Sequence, residues 1–202
     1  MRHATRHLKK ADPILAEIIE RVGPFRMEYR EPGFSTLVRS IVYQQLSGRV
    51  ASRIFARLVD LLPDRQLTPA AILALTVEQM RGAGLSGQKA AYIRDLAERT
   101  FAGEIDFALL PGMSDGEVIE TLTRVKGVGV WTAHMFLIFA LQRPDVLPVG
   151  DLGVRTAIRK AYRMRALPKP ARMEKIARSW RPWCSVASWY LWRSLDNEAM
   201  LQ

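Results

Sequence analysis

The stretch Val125-Lys126-Gly127-Val128-Gly129-Val130-Trp131-Thr132-Ala133 decides how this chain is read. A helical pattern opened by the Ser114/Glu117 capping pair runs into it through Val118, Ile119 and Leu122, and an apolar helix leaves it. Two glycines one residue apart allow positive φ and close approach of another backbone. The turn then exposes backbone N–H groups at the start of the next helix. Together with the helix dipole, these bind an anion without any side-chain charge. A helix–Gly-x-Gly–helix unit is therefore suited to gripping one phosphate of a nucleic-acid backbone. The same pattern also serves as a plain tight turn between two helices, and on these residues alone both readings stand. It is not a dinucleotide fingerprint, because no strand precedes it and the third glycine is missing.

Downstream lies Pro144-Asp145-Val146-Leu147-Pro148-Val149-Gly150-Asp151, a Pro/Gly loop that ends where another helix should begin. Asp151 is placed to be that helix's N-cap. It is also placed to stabilise an oxocarbenium-like sugar or to activate water, as carboxylates do in glycoside hydrolysis. Beyond it the charge becomes one-sided. Between Arg155 and Arg181 stand ten basic residues (Arg155, Arg159, Lys160, Arg163, Arg165, Lys169, Arg172, Lys175, Arg178 and Arg181) against the single acid Glu174. Arg155, Arg159, Lys160 and Arg163 follow steps of three and four, which gather them on one side of a helix. A solvated helix face and a phosphate-facing surface both fit this run. A membrane-surface helix does not. It needs a broad apolar face, and Val154, Ala157, Ile158 and Ala161 offer only a narrow one.

The whole chain shares the bias. Thirty Lys and Arg against twenty Asp and Glu in 202 residues leave +10, which calls for a polyanionic partner. The single cysteine, Cys184, excludes an intrachain disulfide framework and any four-cysteine zinc or iron–sulfur site. The longest apolar run, Met135 to Leu141, is too short to cross a bilayer. Met1 to Lys10 is basic but lacks the apolar core of a secretory signal. The expectation at this point is a cytosolic, basic protein.

Upstream, helices and their punctuation fill the chain. Asp12-Pro13 opens one over Ile14, Ile18, Ile19 and Val22, and Gly23-Pro24 stops it. Phe34, Leu37, Val38, Ile41 and Val42 form a second stripe. Ser47-Gly48 opens a third over Val50, Ile54, Leu58 and Leu61. Thr68-Pro69 starts a short helix, Thr76 with Gln79 boxes the next, and Ser86 caps one over Ala90, Ile93, Leu96 and Ala97. No sustained period-two alternation and no Asn-Gly hairpin signal appears. The fold expected is all-α, two helical lobes around a cleft.

Taken in order, these residues resemble the helix-hairpin-helix–Gly/Pro–Asp (HhH-GPD) DNA glycosylases. Three further stretches resemble their alkylation-repair branch, the DNA-3-methyladenine glycosylase II type, in its compact all-helical form. They are Ser40-Ile41-Val42-Tyr43-Gln44-Gln45-Leu46-Ser47, then Gly84-Leu85-Ser86-Gly87-Gln88-Lys89-Ala90, and finally Trp180-Arg181-Pro182-Trp183 with Trp189-Tyr190-Leu191-Trp192. The resemblance spans residues 34 to 195.

What the resemblance implies is specific. Asp151 is the catalytic carboxylate. Trp131, Met135 and Trp192 line the base pocket. Gln44, Gln45, Lys126, Gly127, Val128, Gly129, Thr132 and Arg155 meet DNA, with Gln44 or Gln45 filling the gap left by the extruded nucleotide. Backbone carbonyls of Thr123, Val125 and Val128 hold a sodium or potassium ion, and no other cofactor is required. One lobe comprises residues 34–113 with the gap-filling loop. The other comprises 1–33 and 114–202 with the hairpin and Asp151. A lysine stands at position 131 in the bifunctional branch; Trp131 has no amine, so Schiff-base lyase chemistry is not expected. The implied activity is hydrolytic removal of alkylated purines of the 3-methyladenine and 7-methylguanine type from double-stranded DNA, by a monomer that does not bind membranes. A non-catalytic hairpin module that recognises damaged or bent DNA would use the same basic surface. Trp180, Trp183 and Trp189 read as packing groups, His134 as a packing histidine and Cys184 as an inert small hydrophobe.

Overall fold

The structure is a computed structural model and describes residues 2–199, with side chains to residue 196. Twelve α-helices run in order: α1 (Arg2–Ala11), α2 (Pro13–Val22), α3 (Phe34–Tyr43), α4 (Gly48–Asp60), α5 (Pro69–Ala74), α6 (Val77–Gly82), α7 (Gly87–Phe101), α8 (Asp115–Thr123), α9 (Val130–Phe139), α10 (Leu152–Ala161), α11 (Pro170–Ala177) and α12 (Cys184–Ala199). Short 3-10 turns lie at Pro63–Arg65, Leu110–Gly112 and Arg178–Trp180. There is no strand among the described residues.

Caps explain most boundaries. Asp12 accepts hydrogen bonds from the N–H groups of Ile14 and Leu15, and Pro13 takes the position where no N–H is needed. Thr76/Gln79 and Ser114/Glu117 form reciprocal capping boxes at α6 and α8. Ser86 caps α7. The sequence reading delimits no helix at α1, α11 or α12; the run of α1 is mostly basic, and it buries only Ala4 and Leu8.

The chain divides into two compact units. One holds the residues up to Tyr29 and those from Gln142 onward; the other is Arg30–Leu141. In the first, α12 packs on α2 and α10, and α1 packs on α2. Leu8, Leu15, Ile18, Val154, Ile158, Met173, Trp180 and Tyr190 form its core. Asp12 is a buried hub there. One carboxylate oxygen caps α2, and the other accepts the Trp180 indole N–H at 2.8 Å and the Tyr162 hydroxyl. In the second unit α7 is central, packed by α3, α5 and α6, while α9 packs on α8 and α3.

This division differs from the expected lobes. The hairpin between α8 and α9 falls in the Arg30–Leu141 unit and not with Asp151. The cause is packing and hydrogen bonding at long sequence separation. The Gln44 amide donates to the carbonyl of Gly127, and Asp95 accepts the N–H of Lys126, fastening the hairpin to α3 and α7.

Candidate functional site

The hairpin is built within the second unit. Gly127 has φ +78°, a region that favours glycine. A Cβ added there would stand 2.1 Å from the Tyr92 ring, so glycine is required twice over, by conformation and by space. Gly129 is the N-cap of α9, has extended φ, and supplies no side-chain cap. No side chain at the N-cap covers the start of α9, an arrangement that suits an anion such as a phosphate. Two N–H groups of the turn are already committed. That of Lys126 donates to Asp95 Oδ2 at 2.9 Å, and that of Val128 donates to the Val125 carbonyl at 3.0 Å. The Lys126 ammonium is exposed and lies 3.5 Å from Asp95 Oδ1.

Asp95 itself is buried and also accepts from Arg99 Nε at 3.0 Å. Burial pushes its carboxyl up, but the Lys126 N–H and the Arg99 guanidinium pull harder. The group sits below the ordinary carboxylate value.

Not every expected DNA contact is placed to be one. The side chains of Val128 and Thr132 are buried, at 4% exposure each, because they pack inward from the turn and from the first turn of α9. Whatever they give DNA must come from their backbone. Gln44 spends its amide on Gly127, while Gln45 beside it is exposed and sits at φ +56°. Trp131 is 46% exposed on the first turn of α9, and Met135, four residues on and half-buried, lies on the same side of that helix. His134 is half-buried, and burial lowers its pKa, which fits a packing histidine.

The Asp151 carboxylate is held within the first unit. The Pro/Gly loop is pinned to the start of α12: Ser185 Oγ donates to the Arg143 carbonyl at 2.6 Å and accepts the Val146 N–H at 3.0 Å. Asp145 accepts the Cys184 N–H at 3.2 Å and the Arg181 guanidinium at 2.8 Å. At the end of this fixed loop Asp151 caps α10, its Oδ1 taking the Val154 N–H at 2.8 Å. The same oxygen accepts the Trp192 indole N–H at 2.8 Å. Asp151 is 8% exposed. N–H donors from two helices thus hold one oxygen of the carboxylate.

Gly153 makes room for this pair. A methyl group there would come within 2.9 Å of Trp192 Cδ1 and 3.1 Å of Asp151 Oδ1. Sequence reading missed Gly153, and its only signal was a glycine in the first turn of a helix, where propensity disfavours it. Arg155 was expected on DNA, yet its Nε donates to the Pro168 carbonyl at 3.2 Å, because the half-buried side chain folds back over the loop after α10. Trp180 and Trp189 are buried and Trp183 is half-buried, as packing groups should be. Burial pushes the Cys184 thiol far up, so it stays protonated and inert.

Among the described residues, no group of three or more His, Cys, Asp or Glu could hold a metal ion. No helix there is long and apolar enough to cross a membrane. Residues 38–182 match the family model described as HhH-GPD superfamily base excision DNA repair protein. The chain is 34% identical over 199 residues to the DNA-3-methyladenine glycosylase 1 of Schizosaccharomyces pombe, covering 93% of this chain and 85% of that protein. Among solved structures, the S. pombe 3-methyladenine DNA glycosylase in complex with abasic DNA superposes with a TM-score of 0.84 at 34% identity, over 95% of both chains. The DNA-3-methyladenine glycosidase of Bacillus halodurans gives 0.86 at 34% identity, over 98% of this chain and 91% of that one.

Proposed function

This chain belongs to the HhH-GPD superfamily of base excision DNA repair proteins, and from that premise we propose that it is a monofunctional DNA glycosylase. Its substrate is double-stranded DNA carrying alkylated purines of the 3-methyladenine and 7-methylguanine type. Its products are the free base and an abasic site. The observation that carries this reading is the Asp151 carboxylate, fixed by the Val154 N–H and the Trp192 indole at the end of a pinned loop.

The chemistry follows from the groups present. The N-glycosidic bond is unreachable in a stacked duplex, so the nucleotide must be extruded at a cost of about a few kcal/mol, least for damaged pairs. The first-turn N–H groups of α9 and the Lys126 ammonium hold the backbone. We assign the gap-filling role to Gln45, since Gln44 is occupied by Gly127. A purine alkylated on a ring nitrogen is cationic, and the exposed Trp131 indole favours it by stacking and cation–π attraction, with Met135 as a polarizable wall. The Trp192 indole orients Asp151 through its N–H. The C1′–N bond breaks with its electron pair going to the purine, which leaves neutral. Asp151 stabilises the positive sugar and orients the water whose oxygen bonds C1′ and whose proton is released. Trp131 has no amine for a Schiff base, so no lyase step follows.

A sodium or potassium ion at the hairpin would be held by the carbonyls of Thr123, Val125 and Val128, which suit a hard monovalent cation. The Val125 carbonyl accepts one N–H and keeps a second lone pair for it. No chemical step runs through that ion. With DNA as substrate, we place the enzyme in the cytoplasm at the nucleoid, working as a single chain.

The test is a panel of duplexes bearing 3-methyladenine, 7-methylguanine, hypoxanthine, ethenoadenine or uracil, read by released base, with a parallel borohydride trap. Release of the two methylated purines and no trapped adduct is expected. Tight binding with no release from any duplex would instead favour the non-catalytic module. A trapped adduct would contradict the monofunctional assignment.

A further inference from the structure

One face of α7 carries both loops of the second unit that are expected to meet DNA. Lys89, Tyr92 and Asp95 follow at steps of three, which sets them along one side of the helix. At the first step the Lys89 ammonium donates to the carbonyls of Val42 at 2.7 Å and Gln44 at 2.6 Å, where α3 ends and the Gln45 loop begins. At the second step the Tyr92 ring lies against Gly127, and its hydroxyl accepts the Gln88 amide at 2.6 Å. At the third, Asp95 takes the Lys126 N–H. The Gln44 amide closes the circuit by donating to the Gly127 carbonyl at 2.9 Å. Two loops some eighty residues apart are thereby mounted on one rigid element and bonded to each other.

On the reading of this chain as a base-extruding glycosylase, we propose that Lys89 is a positioning residue that locks the Gln45 loop to the phosphate-gripping hairpin, so that backbone grip and stack filling are one operation. A cation at the end of α3 also suits that helix's dipole, and this alone would be a purely structural role. The two roles differ in what they do to rates. Removing a cap from α3 weakens the enzyme on every substrate. Removing a lock matters only where a paired base must be driven out of the stack, and far less where the partner base is absent and extrusion is cheap.

The experiment measures single-turnover excision of 7-methylguanine by saturating full-length enzyme. In one duplex the lesion is paired with cytosine; in the other it stands opposite an abasic-site analogue. Lys89→Met should slow the paired lesion by about ten-fold or more, the scale of one charge-assisted hydrogen bond, and stay within about two-fold on the unpaired one. Lys89→Arg, which can still bridge two carbonyls, should restore the paired rate. Gln44→Ala, which cuts the bond to Gly127 and leaves Lys89 in place, should show the same substrate-dependent loss. Equal losses on both duplexes, or none on the paired one, overturn the lock and leave the glycosylase assignment standing. If the unaltered enzyme excises from neither duplex, the glycosylase assignment itself falls.

Discussion

Asp151 answers a question that its sequence position left open. An aspartate opening a helix is usually an N-cap, and this one is. It also receives an indole N–H from Trp192, forty-one residues on, and that bond has no local signature. The space for it is kept by Gly153, whose meaning becomes visible only when Trp192 is seen above it. Gly153→Ala should therefore push the indole and carboxylate apart. We expect base release to fall by about ten-fold or more, the scale of one misplaced catalytic hydrogen bond. Binding to undamaged duplex should change little, while the Tm should fall modestly, because the contact at Trp192 must shift and the indole's hydrogen bond to a buried carboxylate is disturbed. Single-turnover release beside a thermal melt checks this. An unchanged rate would show that the indole does not hold the carboxylate in its working position.

At the scale of elements, what was legible was what is local. Caps at Asp12, Thr76, Ser86, Ser114 and Asp151 were read directly, because each is satisfied by an N–H two or three residues away. Helix α1 was not, since a run dominated by arginine, lysine and histidine gives little apolar signal. The supports of the hairpin were also invisible, because Asp95 and Lys126 lie thirty-one residues apart.

Asp95 gives that element a pH dependence. Its folded pKa is depressed below the ordinary value of about 3.9. The stability it contributes is thus fully present above about pH 4 and disappears as pH falls toward the folded pKa. Asp95→Asn should be less stable than the unaltered protein at pH 7, and the gap between their Tm values should close below about pH 4. A gap that stayed constant from pH 7 to pH 3 would mean that the charge of Asp95 does not support the turn.

For the whole molecule, the all-α class followed from helical punctuation and the absence of strand signals, whereas the division into units did not. The boundary at Leu141 is set by packing that brings α9 onto α8 and α3, and no break in composition marks it. The basic run is partly spent on internal bonds, with Arg155 on Pro168 and Arg181 on Asp145 and Glu174. Arg163, Arg165, Lys169, Arg172, Lys175 and Arg178 are exposed. Replacing Arg172, Lys175 and Arg178 by glutamine should weaken binding to undamaged duplex. It should also flatten the plot of log affinity against log salt by up to about three, near one for each phosphate no longer neutralised. Excision at saturating enzyme should not change. An unaltered slope would make this surface a solvated face.

The most direct test of the account compares the unaltered enzyme with Asp151→Asn on duplex DNA bearing 7-methylguanine, at enzyme concentrations giving equal DNA occupancy, by the rate of free base release. Asparagine keeps the size and the cap of α10 but not the negative charge. The account predicts a fall of about a hundred-fold or more with binding preserved. Release at the unaltered rate would contradict it.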